Sequence, residues 1–121
     1  MVPVSTRKEL LRSGLVPHTP RTSGLTVHVT RARFLRSGRV ESGAFDPGVL
    51  RISYRPARLL LDWTVLNEYL DSFKGEPGSA EAAVATIASD LGEVLAPAFL
   101  EVTMDLNMDG SGGFVYEVTT V

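Results

Sequence analysis

Apolar residues change their spacing twice along this chain, and the order of these spacings limits the fold more than any other feature. They recur at every second position over residues 25–34 and 50–54, at every third or fourth over residues 66–95, and again at every second over residues 100–118. Alternation is typical of a half-buried strand, and a spacing of three or four is typical of an amphipathic helix. The sequence therefore predicts the order strand, strand, helix, helix, strand, strand in an α+β domain.

The first two predicted strands flank a loop rich in glycine and serine, residues 37–48, which ends in the turn sequence Asp46-Pro47-Gly48. In the first strand the apolar face changes phase near Arg31, as a β-bulge would cause. Pro56 ends the second strand because proline has no amide N–H to donate. The buried face of the second strand is predicted to consist of Leu50, Ile52 and Tyr54.

The two predicted helices each carry one apolar stripe. Thr64 is the expected cap of the first helix, and Ser79 is that of the second, which ends before Pro97. The first stripe is predicted to consist of Leu66, Tyr69, Leu70 and Phe73. The second is predicted to consist of Val84, Ile87, Ala88, Leu91 and Leu95.

The last two predicted strands form an antiparallel hairpin that completes a four-stranded sheet. An antiparallel sheet with two helices on one face has two unpaired edge strands, and proteins tend to protect such edges. Pairing the edges of neighbouring copies would close a barrel and place the loops of adjacent subunits side by side. We therefore expect a homo-oligomer with sites between its subunits.

The chain divides by composition near residue 23. Residues 1–23 contain three prolines and little apolar periodicity, so we interpret them as an N-terminal arm with a turn or two of helix at residues 7–11. Residues 24–121 form the single predicted domain. No apolar run approaches the ~20 residues that span a bilayer, and no apolar h-region follows the charged N-terminus. We expect a cytoplasmic protein that does not enter the membrane.

Composition also restricts the chemistry. The chain has no cysteine, which excludes disulfides and thiolate ligands, and its two histidines are too few for a three-histidine metal centre. Residues 1–40 carry eight basic residues and one acid, whereas the remainder carries four basic residues and thirteen acids. Only Phe34 stands among the basic residues, where nucleic-acid binding would require several aromatic ones. We expect the basic residues to pair with acids of the same or a neighbouring subunit, and we expect no metal and no nucleic acid.

Several short motifs stand in one register: Ile52-Ser53-Tyr54, Tyr69-Leu70, Ser72-Phe73 and Leu100-Glu101-Val102. Their order and spacing resembles the single-domain 7-cyano-7-deazaguanine reductases of queuosine biosynthesis, over roughly residues 36–116 and without a gap over residues 46–81. The resemblance implies the tunnelling fold, in which two strands, two helices and two strands assemble into rings around a central tunnel. It also implies ligand sites at the subunit interfaces.

The resemblance carries over part of the family's binding site. The glutamate that anchors the purine-like base falls on Glu81, at the predicted start of the second helix, and the acid–base aspartate falls on Asp46. A carboxylate at a helix N-terminus can accept two parallel N–H bonds from a 2-amino-4-oxo heterocycle. Trp63, which follows Asp62, occupies a position that contacts the base in the family, so a stacking role is expected for it.

Other positions of the family's site are not kept. The nucleophilic cysteine falls on Arg39, and the histidine before the anchoring carboxylate falls on Ala80. Arginine cannot form the thioimide that a cysteine forms with a nitrile, although its guanidinium suits an anionic or carbonyl-bearing substrate. The nicotinamide-cofactor motif, an acid followed by two lysines, falls on residues 62–67, where only Asp62 matches. We therefore expect no cofactor.

Each candidate residue also has a purely structural interpretation. Glu81 would favour the helix dipole without any ligand, and Asp46 before proline is a common turn residue. Arg39 in a loop rich in glycine and serine would be solvated, and Trp63 would belong to the core. His28, in mid-strand, is interpreted as a structural residue because nothing near it in sequence orients it.

The leading hypothesis is a homo-oligomer that binds a purine-, pterin- or similar heterocycle between subunits without reducing a nitrile. Asp46 would transfer protons and Arg39 would stabilise charge, while Glu81, Asp62 and Trp63 would bind the ligand in an isomerisation, a cyclisation or a related reaction. The alternative is a noncatalytic oligomeric scaffold that has lost the family's active site. A third hypothesis is nitrile reduction with NADPH by an altered mechanism.

Overall fold

The computed structural model describes residues 4–18, 25–34, 48–73, 80–107 and 115–120. The helices in these ranges are α1 (Val4–Ser13), α2 (Trp63–Asp71) and α3 (Ala80–Leu95). The strands are β1 (Leu15–Pro17), β2 (Val27–Phe34), β3 (Gly48–Arg55), β4 (Leu59–Leu61), β5 (Phe99–Asn107) and β6 (Val115–Thr120). Within the described ranges, no helix has both the length and the hydrophobicity that a membrane span requires.

The main sheet consists of four antiparallel strands in the order β2-β3-β5-β6. The helices α2 and α3 lie between its first and second strand pairs in the sequence, as the apolar spacing predicts. This arrangement confirms the α+β class and is compatible with the tunnelling fold. Within the described part of the chain, β2 and β6 form the two edges of the sheet.

A bulge in β2 returns its last residue to the core. Arg31 pairs with Leu50, whereas Phe34 pairs with Gly48, so the register shifts between Arg31 and Phe34. An extra residue in one strand of a pair has this effect. The shift buries Phe34, whose side chain packs against the ring of Phe73 at a centroid distance of 6.1 Å. The predicted change of phase near Arg31 is thereby confirmed.

One hydrophobic core lies between the main sheet and the helices. It contains every residue of the first predicted helical stripe, from Leu66 to Phe73, and the alternating apolar residues of β3. It also contains the predicted stripe of α3 except Ala88, which is partly buried. Complete burial of one aliphatic side chain stabilises a fold by roughly 1.5–3 kcal/mol. α3 ends at Leu95, before Pro97, as predicted.

The N-terminal segment differs from its prediction. Residues 4–18, interpreted from the sequence as part of an arm, pack on the domain as α1 and β1. Leu11 is fully buried in the core, and β1 pairs antiparallel with β4, the apolar run at residues 59–61. This packing was not predicted because the strand partners of residues 15–17 lie more than forty residues further along the chain. The division of the chain at residue 23 stays a prediction.

Candidate ligand-binding site

A groove with a volume of about 240 Å³ opens between β2 and α2. It is lined by Val29, Thr30 and Arg31 of β2 and by Trp63, Leu66, Asn67 and Leu70 of α2. Most of this surface is hydrocarbon, and the polar groups stand together at Arg31 and Asn67. Sites for drug-sized ligands have volumes of about 300–1,000 Å³, so this groove suits a single flat ring system.

Trp63 stands at the edge of this groove with 73% of its surface exposed. It lies on the same helical face as Leu66 and Leu70, three and seven residues later, but in the first turn of α2, beside an edge strand. The expectation that Trp63 belongs to the core was therefore wrong. An exposed indole beside a hydrocarbon groove offers a flat face on which an aromatic ring can stack.

Arg31 forms the polar wall of the groove. Its Nη1 donates to Asn67 Oδ1 at 2.7 Å, and its Nη2 donates to Asp71 Oδ1 at 2.5 Å. The positive charge of Arg31 is therefore balanced by α2 of the same chain. The prediction that basic residues pair with acids of the same or a neighbouring subunit is confirmed for Arg31, whose partner Asp71 lies in the same chain, forty residues away.

Asp62 caps α2. Its Oδ1 accepts hydrogen bonds from the backbone N–H of Thr64 at 3.0 Å and from Thr64 Oγ1 at 2.9 Å. Asp62 has the extended backbone of an N-cap residue, with φ −60° and ψ 127°, so the prediction of Thr64 as the cap was wrong by two positions. Aspartate is among the strongest N-cap residues, and that signal was present in the sequence. A role of Asp62 in ligand binding stays a prediction.

Glu81 lies exposed in the first turn of α3, and it is the acidic residue of that turn. Its carboxylate therefore stands where the helix dipole favours negative charge. α3 packs on β5 and β6, whereas α2 lies beside β2 at the other edge of the sheet. Within one chain, Glu81 and the groove thus belong to helices over opposite halves of the sheet.

Two candidate residues fall outside the described ranges. Arg39 and Asp46 lie between β2 and β3 in the sequence, and their catalytic roles stay predictions. The predicted cap Ser79 also lies outside these ranges. Among the residues that the structure does describe, no group of three or more His, Cys, Asp and Glu side chains could hold a metal ion.

The sheet face opposite the helices is polar. His28 Nδ1 and Ser53 Oγ lie 2.8 Å apart across β2 and β3, and Thr103 Oγ1 lies 3.0 Å from Thr119 Oγ1 across β5 and β6. Arg51 of β3 forms an ion pair with Asp105 of β5 on this face. Ser53 thus supplies a partner for His28 that the sequence analysis did not find. This face lies on the other side of the sheet from the groove.

A buried polar pair links α2 to α3. The Tyr69 hydroxyl donates to Asp90 Oδ2 at 2.7 Å, and both residues are almost completely buried. Burial raises the pKa of Tyr69 far above its ordinary value, and the hydrogen bond to Asp90 raises the pKa further. The raised pKa favours the protonated phenol, which is the donor in this hydrogen bond.

This chain is similar in sequence to a known protein family. The family model described as QueF-like protein matches residues 46–120, which is more than half of the chain. The matched range includes Asp46, Asp62, Trp63 and Glu81, and it begins after Arg39. No curated protein matches the chain.

Proposed function

Because this chain belongs to the family of QueF-like proteins, we propose that it binds a flat, amide-bearing heterocycle of the purine or pterin kind between the subunits of a homo-oligomer. Its reaction is a proton transfer, as in an isomerisation or a cyclisation, and it is not the reduction of a nitrile. The observation that carries this proposal is the exposed indole of Trp63 beside an apolar groove of about 240 Å³.

The groove suits the flat faces of such a ligand. Leu66, Leu70 and Val29 supply hydrocarbon, and the indole of Trp63 supplies a surface for stacking. Asp71 balances the charge of Arg31, so a neutral heterocycle meets no unmatched charge from this pair. Stacking and apolar contact would therefore supply most of the affinity, and directed hydrogen bonds would supply the specificity.

The hydrogen-bonding anchor is Glu81 of a neighbouring copy. When β2 of one copy pairs with β6 of the next, both sheet edges are protected. This pairing brings α2 of one copy towards α3 of its neighbour, since the two helices lie over opposite halves of the sheet. The carboxylate of Glu81 then accepts two parallel hydrogen bonds from the N–H groups of the heterocycle.

The catalytic step falls to Asp46 and Arg39. Asp46 exchanges a proton with the bound heterocycle, and Arg39 stabilises the negative charge that develops. The chain contains no cysteine, so none of its residues can form the thioimide adduct of a nitrile reductase. NADPH oxidation in the presence of 7-cyano-7-deazaguanine would contradict this part of the proposal.

The second candidate function is a noncatalytic scaffold. It is favoured by Asp62, whose Oδ1 is engaged in capping α2, and by the lack of a cysteine. A scaffold keeps the oligomer but binds no heterocycle. Ligand binding therefore separates the two functions, whereas the mass of the oligomer does not.

Calorimetric titration of the purified protein with pterin and with guanine tests the proposal. We expect the wild type to bind at least one of them, and we expect Trp63→Ala and Glu81→Ala to weaken binding strongly. Glu68→Ala is the matched control, since Glu68 is an exposed acid on α2 and its loss changes the net charge equally. A wild type that binds neither compound, or a Glu81→Ala variant that binds normally, would remove the ligand-anchoring role. A monomer in light scattering would remove the site between subunits.

A further inference from the structure

The N-terminal segment contacts both ends of α2. At one end, the backbone N–H of Asp62 donates to the carbonyl oxygen of Gly14 at 2.8 Å. At the other end, Arg7 donates from Nε to Ser72 Oγ at 3.0 Å and from Nη2 to the Ser72 carbonyl oxygen at 3.1 Å. Residues 7–14 therefore span the length of α2, from its last turn to its first.

Arg7 is almost completely buried, with 1% of its surface exposed. Its guanidinium also lies over the ring of Phe73, 4.1 Å from the centroid. α2 has no basic residue in its own last turn, so Arg7 supplies the cation that the negative end of the helix dipole favours. A buried guanidinium is tolerated only where its donors are paired, and this requirement restricts where α1 can sit on α2.

The same segment also contacts α3. Lys8 Nζ lies 3.1 Å from Glu93 Oε2, and Arg12 Nη2 lies 3.4 Å from the same atom. Leu11, between these residues, is buried in the core. α1 therefore holds α2 on one side and α3 on the other, next to the buried hydrogen bond between Tyr69 and Asp90.

We propose that residues 4–18 form a brace that sets α2 relative to α3, with Arg7 as a positioning residue of the ligand site. This inference rests on the proposed function, because Trp63 stands on α2 and Glu81 on α3. Arg7 acts on the site through α2, whose residues Trp63, Leu66, Asn67 and Leu70 line the groove. The brace lies outside residues 46–120, the range that the QueF-like family model matches.

Displacing a binding group by about 1 Å is enough to weaken a preorganised site. In each subunit, the brace fixes the helix that carries the stacking surface and the helix that carries the anchor. Loosening it changes the position of Trp63 relative to Glu81 in the assembled protein. Ligand affinity is therefore more sensitive to Arg7 than to another arginine of the same helix.

The first experiment compares Arg7→Lys with Arg12→Lys in pterin titrations of the full chain. Lysine keeps the charge, but its compact ammonium group cannot reproduce the two parallel donors of the guanidinium. We expect Arg7→Lys to weaken pterin binding by about 2- to 30-fold. Arg12 is exposed and pairs with Glu93, so Arg12→Lys, which keeps the charge, should bind within about twofold of the wild type. Normal pterin binding by Arg7→Lys would overturn the positioning role.

Hydrogen exchange of the same variants needs no ligand and separates the brace from the proposed function. In Arg7→Lys we expect faster amide exchange in α2 and in the turns of α3 around Glu93, with β3 and β5 unchanged. Ser72→Ala, which removes one hydrogen-bond acceptor of Arg7, should accelerate exchange in the same segments but by a smaller factor. Unchanged exchange, or acceleration spread equally over β3 and β5, would overturn the brace. A wild type that binds no pterin would contradict the proposed function. The exchange pattern would still show whether residues 4–18 hold α2 in place.

Discussion

Gly14 lies so close to Val65 that a Cβ atom on Gly14 would stand 2.6 Å from Val65 Cβ and 2.8 Å from both of its methyl groups. Real Cβ atoms do not approach so closely, so any side chain at position 14 must push α1 away from α2. Position 14 therefore requires glycine, because its backbone lies too close to the side chain of Val65 to leave room for a Cβ atom.

Gly14→Ala is expected to lower the free energy of unfolding by about 1–3 kcal/mol, because overpacking forces the two helices apart. Val65→Gly removes the three atoms that would lie nearest to the new methyl group. In the Val65→Gly background, the cost of Gly14→Ala should therefore disappear. Urea denaturation of the two single variants, the double variant and the wild type measures this coupling. Equal costs in both backgrounds would contradict the contact.

The pairing of Arg31 with Asp71 is expected to control which ligands the groove accepts. Asp71→Asn removes the charge that balances Arg31, so the groove becomes more positive. The affinity for 6-carboxypterin relative to pterin should rise by up to about fivefold, the effect of a partly exposed ion pair of about 1 kcal/mol. Calorimetry with both compounds measures the ratio. Glu68→Gln, with the same change of charge on the same helix, should leave the ratio unchanged.

Tyr69 should make the fold less stable at high pH. The unfolded chain loses the phenolic proton near the ordinary pKa of 10.0, whereas burial and Asp90 raise the pKa in the folded state. Above pH 10 the unfolded state therefore binds fewer protons, and the free energy of unfolding falls by up to about 1.4 kcal/mol per pH unit. Below the unfolded pKa both states keep the phenolic proton, so the stabilisation from Tyr69 is fully present there and does not change with pH.

Tyr69→Phe tests this linkage through urea denaturation at several pH values between 7 and 11. The variant should lose about 1–3 kcal/mol at pH 7, because Asp90 loses its buried donor. Above pH 10, its stability should fall less steeply with pH than that of the wild type. Parallel curves for the two proteins above pH 10 would show that Tyr69 does not contribute.

Ala96 ends α3 in a left-handed conformation, with a φ of 45°. Its N–H donates to the carbonyl oxygen of Gly92 at 3.0 Å, which is the αL type of helix end. Glycine adopts this conformation without strain, so Ala96→Gly should raise the free energy of unfolding by about 0.5–1 kcal/mol. Ala85→Gly, at an exposed position inside α3, should lower it by about 1 kcal/mol. Thermal unfolding of both variants should therefore show shifts of opposite sign.

The sequence by itself determined the elements whose causes are local. Alternation at Leu50, Ile52 and Tyr54 predicted β3, and the helical spacing of Leu66, Tyr69 and Leu70 predicted the buried face of α2. The phase change near Arg31 predicted the bulge that buries Phe34. These predictions were correct because the periodicity of a strand or a helix places its apolar side chains on one face, and a face of this kind needs a core to cover it.

Only the tertiary structure decided the packing of residues 4–18, the exposure of Trp63 and the partners of Arg7 and Arg31. Arg7 meets Ser72 across 65 positions of sequence, and Arg31 meets Asp71 across 40. No local sequence pattern predicts these contacts. An arginine can pair with any acid or helix C-terminus, and the tertiary fold determines which of them lies within reach. Trp63 continues an apolar stripe, but the sheet ends beneath it, and where a sheet ends depends on how all of its strands pair.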